Sequence, residues 1–550
     1  MRKALFVLCL VLLGAQGIWA QVTEEWVARY NDPGNLDEAA TAIAVDNLGN
    51  VYVTGGALFG DFDTFSNYAT IKYNSSGDTL WVRRYTGPGN ADVANDLAVD
   101  SLGNVYITGN SWGGLGTGWD YATIKYDGTT GETLWVRRYD GSANSADWAS
   151  ALVVDGSGNV YVTGYSVGSG TGYDYATIKY SSIGDTLWVR RYNGSVNSTD
   201  IAFALAVDNS GNVYVTGASE SDYLTIKYSS NGDTLWVRKY SGAGNWTDEA
   251  YAIAVDNFGN VYVTGRSYDT GTGFDIVTIK YSSLGDSLWV RRYNGPGNWT
   301  DAANAITVDD SGNVYVTGGS HRSGNNGDYA TIKYNSSGAE LWARRYNGPG
   351  NDTDEANALA LDNSGNVYVT GRSRGIGAFD DYVTIKYSSV GDSLWVMRYT
   401  GPGSNVDWAT AIALDDFGNV YVTGGILGGI GTGYDYATIK YSQTVGIEEE
   451  NAQFKMNNAK LLQNLPNPFH HSTVIRYQIP STNPESRITN HISLRIYDLT
   501  GRLVETLVDE RQEPGVYQVQ WEGKNQTSGI YFYRLKSGDS STTNKLILLR

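Results

Sequence analysis

Tryptophan returns along this chain at a nearly fixed interval. Trp26, Trp81, Trp135, Trp188, Trp236, Trp289, Trp342 and Trp395 stand 55, 54, 53, 48, 53, 53 and 53 residues apart. A fixed period of this length means one supersecondary unit repeated, each copy burying its apolar face against the next. Every unit carries four strand signals of five or six residues. They are an Ala/Ile/Val run ending in Asp (Ala252–Asp256), Asn-Val-Tyr-Val-Thr-Gly (Asn260–Gly265), Tyr-Ala-Thr-Ile-Lys-Tyr (Tyr329–Tyr334) and Leu-Trp-Val-Arg-Arg-Tyr (Leu288–Tyr293). β-Branched and aromatic residues dominate all four, and helical periodicity is absent.

The order of the strands says how the array ends. Each signal occurs eight times. The first tryptophan strand, Trp26–Tyr30, precedes every other strand, and the last unit stops at Tyr441 without one. The leading strand can therefore complete the final triplet. The expectation is an all-β, eight-bladed β-propeller of four-stranded blades over residues 21–441, its last blade closed by the N-terminal strand. Closure removes the open edges that a linear array would leave.

Link lengths separate two faces. The links from strand one to two (Asp256-Asn-Phe-Gly-Asn260) and from three to four (Ser282-Ser-Leu-Gly-Asp286) are tight and share one face. The other links are longer and share the opposite face, as in Asn110–Asp120 and Asn294–Ala302. Long variable loops on a rigid scaffold are where binding residues sit. Trp112, Trp119, Trp148, Trp246, Trp299 and Trp408 all fall on this long-loop face, joined by Phe59, Phe62, Phe65, Phe274, Phe379 and Tyr434. Such a rim could stack sugar rings or grip a peptide, or the rings could fold back as lids over blade edges.

Repetition helps to separate scaffold from site, because an ordinary ligand does not need eight identical contacts. The eight anchor tryptophans are read as structural. So are Asp37, Asp92, Asp147, Asp200, Asp248, Asp301, Asp354 and Asp407, which recur at one equivalent position, and the strand-three lysines such as Lys280 and Lys333. The aspartates are expected to accept loop N–H groups, and the lysines to pair with a repeated acid. Departures from the pattern are the candidate ligand-binding groups. Blade one has Asp61 and Asp63 in an extended loop, and blade four Glu220 and Asp222 in a shortened one. Blade six has His321 and Arg322, and blade seven Arg372, Arg374, Asp380 and Asp381. Paired carboxylates could serve as general acid and base or bind Ca²⁺ through oxygen ligands; solvated loop acids are the plainer alternative. With four histidines and no His-Glu-x-x-His helix, no zinc site is assigned; Ca²⁺ is the one metal left open, and no cofactor is assigned.

The Asp-x-x-Gly-Asn-Val-Tyr-Val-Thr-Gly core, as in Asp256–Gly265, resembles the bacterial beta-propeller repeat called SBBP, over roughly residues 21–441. Asp127–Trp135 is similar to the Trp-docking motif of eight-bladed quinoprotein propellers, which implies tryptophans wedged between neighbouring blades. It does not imply a quinone. The vicinal cysteine pair of such dehydrogenases is missing, and the one Cys, Cys9, lies near the N-terminus.

The two ends carry addresses. Arg2 and Lys3 precede the apolar run Ala4–Leu13, and Met1–Ala20 reads as a cleaved secretory signal. No later segment is apolar enough to span a bilayer, so no transmembrane segment is expected in the mature chain. Residues 442–460 read as a polar linker. Residues 461–550 hold six further strands, expected to form a small immunoglobulin-like β-sandwich. Several motifs there resemble the type A C-terminal sorting domain of the type IX secretion system. They are Asn464-Leu-Pro-Asn-Pro-Phe469 (Asn464, Pro466, Pro468, Phe469), Ile496–Arg502 with Gly501 and Arg502, Trp521-Glu-Gly523, Gly529–Arg534 and the terminal run from Lys545. That resemblance implies a partner in the type IX machinery, export across the outer membrane after a periplasmic step, loss of the tail, and release or surface attachment.

The net charge of −18 is unevenly shared. Residues 21–450 hold 26 basic against 50 acidic groups, and residues 451–550 hold 12 against 8. An acidic body argues against nucleic acid as a partner. A monomer is expected. Three functions stay open: a secreted or cell-surface propeller binding glycan or protein through its long-loop face; an exported polysaccharide hydrolase or lyase with acids at the channel mouth; and a structural surface-layer component. Irregular acids converging in one pocket would favour the enzyme. Scattered acids beside clustered tryptophans would favour binding.

Overall fold

A computed structural model describes residues 22–443 except 33–36, 58–66, 90, 115, 245, 323–325, 377–378, 403–405 and 429–432. Beyond these it describes 460–461, 469, 472–479, 490–498, 502–513, 515–524, 526–537 and 540–548. The chain divides into two compact units, residues 1–447 and 448–550.

The first unit is the expected ring of eight blades. Each blade is an antiparallel four-stranded meander; in blade 5 the strands are Asp248–Val255, Val261–Asp269, Gly273–Tyr281 and Ser287–Tyr293. Blade 8 joins Trp408–Leu414, Val420–Leu427 and Tyr434–Gln443 to the N-terminal strand Val22–Tyr30. That strand pairs from Val22 opposite Gln443 to Tyr30 opposite Tyr436. The first strands of successive blades neighbour one another around the ring, from Glu38–Val45 to Trp408–Leu414, and the last meets the first.

The apolar core lies between blades. One cluster takes Tyr262, Ile276 and Trp289 from blade 5 and Ala303, Val314, Val316, Ala330, Ile332 and Tyr334 from blade 6. Trp289 is the wedge. Its indole N–H donates to the Ser336 carbonyl of the next blade at 3.2 Å, and its ring sits between Tyr262 and Tyr334. Arg291 covers the ring at 5.7 Å and donates to the Gly338 carbonyl. Gly338 needs to be glycine: its φ is +80°, and a Cβ there would meet the indole at 2.8 Å.

The strand-three lysines do something other than expected. Lys280 donates to the same Ser336 carbonyl at 3.2 Å and lies 4.9 Å over the Tyr262 ring. Lys333 likewise reaches the Ser389 carbonyl. A carbonyl takes the place of a carboxylate because these lysines point under the next blade's tight turn, where backbone oxygens are left over; Lys386 reaches the Gln443 side chain instead, and Lys440 adds the Glu25 carboxylate.

A second belt runs around the axis. Every first strand bulges at one position, occupied by Thr41, Asn95, Ser150, Phe203, Tyr251, Asn304, Asn357 or Thr410. Five of these reach the alanine carbonyl of the next blade: Thr41 to Ala94 (2.9 Å), Asn95 to Ala149 (2.6 Å), Asn304 to Ala356 (2.9 Å), Asn357 to Ala409 (2.7 Å) and Thr410 to Ala40 (2.7 Å). The last of these crosses the closure.

The second unit has two antiparallel sheets. One holds Lys460–Leu461, Ser472–Ile479 and Gly515–Glu522; the other holds Leu503–Gln512, Asn490–Tyr497, Gly529–Ser537 and Ser540–Leu548. Both contribute to one core around Trp521, which is fully buried and packs edge-on against Phe469 and Tyr531.

Candidate ligand-binding face

The long-loop face is built on the recurring aspartates. One oxygen of each accepts a loop N–H: Gly295 to Asp301 at 2.5 Å, Gly348 to Asp354 at 2.6 Å, Gly401 to Asp407 at 2.6 Å, with the same bond in Asp92, Asp147, Asp200 and Asp248. Asp37 takes the Tyr434 N–H across the closure. Burial raises most of these carboxyls, Asp407 to about 6. A second aspartate, at the start of strand three, faces the same junction and is held by an arginine of strand four: Asp120 by Arg138, Asp174 by Arg191, Asp275 by Arg292 and Asp328 by Arg345.

The candidate charged groups among the described residues lie on blades 4, 6 and 7, and their acids and arginines pair within their own blade. Glu220 and Asp222 share Lys239, at 2.7 and 3.0 Å. The Lys239 ammonium and the Ser195 hydroxyl lower the Glu220 carboxyl to about 2. His321 sets Nδ1 against the Thr300 carbonyl, and Arg322 binds Asp328 at 2.8 Å. Arg372 binds Glu355 at 2.9 Å, Arg374 lies 3.4 Å from Asp380, and Asp381 binds Arg398 at 2.6 Å. Asp61, Asp63, Phe59, Phe62 and Phe65 lie outside the described residues, as do Asn464, Pro466, Pro468 and Gly501 of the tail. Arg502 there ion-pairs with Asp498, and Lys545 is exposed.

The loop tryptophans gather more closely. Trp112 meets Trp119 edge-on at 5.7 Å, and Trp119 stacks on Trp148 across the blade 2–3 junction at 5.3 Å. Trp148 continues onto Tyr165, and Tyr165 onto Tyr173. Trp408 packs edge-on against Tyr434. Trp246 lies flat on Tyr268 at 5.1 Å yet remains 64% exposed, and Trp299 is 51% exposed. Seven of the eight anchor tryptophans are only 6–8% exposed, so the loop pair stands apart. Tyr268 also meets Phe274, over which Arg266 lies at 4.6 Å. Phe379 is exposed.

Reading the sequence alone missed a variable ring at the channel mouth. The residue after each recurring aspartate is Glu38, Val93, Trp148, Ile201, Glu249, Ala302, Glu355 or Trp408. Opposite it in register stands another variable residue, giving Trp148–Tyr165, Glu249–Arg266 and Glu355–Arg372. Aligning the repeats column by column exposes this position. It also exposes Asp96, which replaces an alanine found in the seven other blades. Asp96 is half-buried, and that burial raises its carboxyl to about 6 against two N–H bonds, from Leu97 and Leu152.

Glu38 gives this mouth a pH signature. Burial raises its carboxyl from 4.5 to about 7, opposed by the Asp32 N–H at 3.0 Å. A carboxyl raised on folding binds its proton more tightly in the folded chain, so stability falls as pH rises from about 4.5 to 7 and is level above. Glu38→Gln is expected to gain about 1–3 kcal/mol at pH 8 and nothing at pH 4, read from denaturant melts at both values.

The repeats match the family described as beta-propeller repeat over residues 25–63, 80–116, 134–170, 187–223, 235–271, 288–322, 341–377 and 395–430, together more than half of the chain. Residues 465–549 match the family described as secretion system C-terminal sorting domain. No curated protein matches the chain. Among solved structures, the β-propeller domain of the Trilobed protease from Pyrococcus furiosus is 8% identical, covers 67% of this chain and 97% of its own, with a TM-score of 0.37. A protein from Lactobacillus plantarum is 13% identical, covers 63% and 99%, and has a TM-score of 0.38. A fungal alcohol oxidase of the AA5 family, in complex with copper, is 12% identical, covers 97% and 100%, and has a TM-score of 0.40. At this level of likeness nothing about activity passes from them to this chain.

Proposed function

Because the chain belongs to the SBBP beta-propeller repeat family and ends in a type IX sorting domain, we propose that it is an exported propeller that binds extracellular glycan through its long-loop face. The sorting tail indicates a secreted or cell-surface protein and a partner in the secretion machinery. In this reading Met1–Ala20 is the signal for the periplasmic step, residues 21–441 are the exported body, and residues 461–550 are removed.

One observation carries the glycan reading. Two indoles more than half exposed, Trp246 and Trp299, stand on the loops either side of blade 5, and Trp246 is held flat by Tyr268. A rigid, exposed aromatic face is suited to the apolar side of a sugar ring and is costly to leave in water. Glu220, Asp222, Asp380 and Asp381 support binding over hydrolysis, since each is paired with a cation of its own blade.

The test is electrophoresis of the full chain through gels carrying neutral polysaccharides. Retardation that is lost in Trp246→Ala/Trp299→Ala, by at least tenfold in affinity, is the expected result. Mobility unchanged by every polysaccharide would count against it.

A further inference from the structure

At the junction of blades 2 and 3 the repeat departs from itself by one residue. The tyrosine ending each fourth strand is followed by Asn31, Thr86, Asn193, Ser241, Asn294, Asn347 or Thr400, but in blade 2 by Asp140. This carboxylate joins Asp120, from strand three of blade 2, and Asp147, which opens blade 3. One carboxylate oxygen from each of the three lies within 4.8 Å of the others.

The oxygens divide into satisfied and bare. Asp120 Oδ2 accepts from Arg138 at 2.5 Å, and Asp147 Oδ2 accepts from the Gly141 N–H at 2.5 Å. Oδ1 of Asp120, of Asp140 and of Asp147 is buried with no donor in hydrogen-bonding geometry. Asp120 is 4% exposed and Asp147 0%. The hydroxyls of Thr117 and Ser166 stand nearest to Asp120 and Asp147, and Ser166 is itself held by Arg191. Bare, buried carboxylate oxygens are rare because they forfeit hydration without replacing it. Of the three carboxylates, only Asp120 is ion-paired with Arg138.

We infer that Asp120, Asp140 and Asp147 form a site for a hard divalent cation, Ca²⁺ by its size. Oxygen ligands stand about 2.3–2.6 Å from Ca²⁺, so two on opposite sides of the ion are about 4.6–5.2 Å apart. The observed spread fits without backbone movement. Ca²⁺ takes roughly six to eight oxygens, leaving places for water and the Thr117 hydroxyl. The ion ties blade 2 to blade 3 directly under the aromatic ladder, since Trp119 precedes Asp120 and Trp148 follows Asp147.

The ring contains its own controls. Junctions 3–4 and 5–6 present the same two aspartates, Asp174 with Asp200 and Asp275 with Asp301, also with bare Oδ1 atoms. Asn193 and Asn294 stand where the third carboxylate would be. Asp140→Asn therefore converts the site into a junction the fold already builds, and Asn193→Asp supplies the missing ligand next door.

The experiment is calorimetric titration of the metal-stripped full chain with CaCl₂, beside melts in CaCl₂ and in EDTA. One equivalent is expected to bind and raise the melting temperature. Asp140→Asn should weaken binding at least tenfold with an unchanged melt in EDTA, and Asn193→Asp should raise the stoichiometry toward two. If Asn193→Asp does not fold, Asp140→Asn decides alone. No heat and no melting shift in the unaltered chain, or an Asp140→Asn chain that titrates as before, would overturn the site.

Discussion

A chain that starts after Tyr30 is expected to lose its cooperative melt and to associate. The strand Val22–Tyr30 presents two faces to two blades. Trp26, Ala28 and Tyr30 pack against the blade 1 and blade 8 cluster of Val51, Val53, Ile71, Tyr73, Tyr421 and Tyr436. Val22 and Val27 pack against the cluster of blades 7 and 8. Lys440 and the Trp26 indole both donate to the Ser75 carbonyl, and Lys440 also ion-pairs with Glu25 at 2.9 Å. Deletion removes all of this and bares the strand Tyr434–Gln443 as an open edge, a template for pairing with another chain. The loss is on the order of 5 kcal/mol or more, summing one tryptophan wedge and several strand bonds. A permutant separates this from mere shortening. Val22 lies opposite Gln443, so a two-residue turn can carry residues 22–30 directly after 443. Size-exclusion chromatography and melting should show the truncated chain associated and the permutant monomeric and restored.

Trp289→Ala is expected to cost about 3–5 kcal/mol, as for other buried tryptophans cut to alanine. The wedge is 8% exposed and spans two blades. Lys280 still donates to the Ser336 carbonyl, so the oxygen is not orphaned and the loss is mainly packing. Because repeat arrays open locally, the damage should appear first as faster amide exchange in the tight turns of blades 5 and 6. Trp289→Phe, which loses the N–H and part of the ring, should cost roughly 1–2 kcal/mol.

The ring was legible because it is written eight times. One displaced tryptophan strand was enough to foresee the closure of blade 8 by Val22–Tyr30. The lysine partners were not legible. A lysine beside repeated aspartates suggests ion pairs, and only the inter-blade geometry puts a carbonyl within its reach. The site was legible in part. The loop tryptophans stood out by residue type, whereas Glu249–Arg266, Glu355–Arg372 and the Tyr165–Tyr173 extension of the ladder need cross-strand register to be seen as neighbours. Asp140 was visible as a letter but not as a ligand, because Asp120 and Asp147 reach it from two other strands in two different blades.

Trp246 and Trp299 decide between a binding surface and a lid. The most direct measurement takes one sample of the full chain with both residues changed to alanine and records its melting curve and its binding on a glycan array. The melting temperature is expected to stay within a degree or so of that of the unaltered chain, because both rings already face water, and the glycan signal expected of the unaltered chain is expected to be lost. A melting temperature lowered as far as by Trp289→Ala, with glycan binding absent or unchanged, would contradict it: the two rings would then be part of the scaffold.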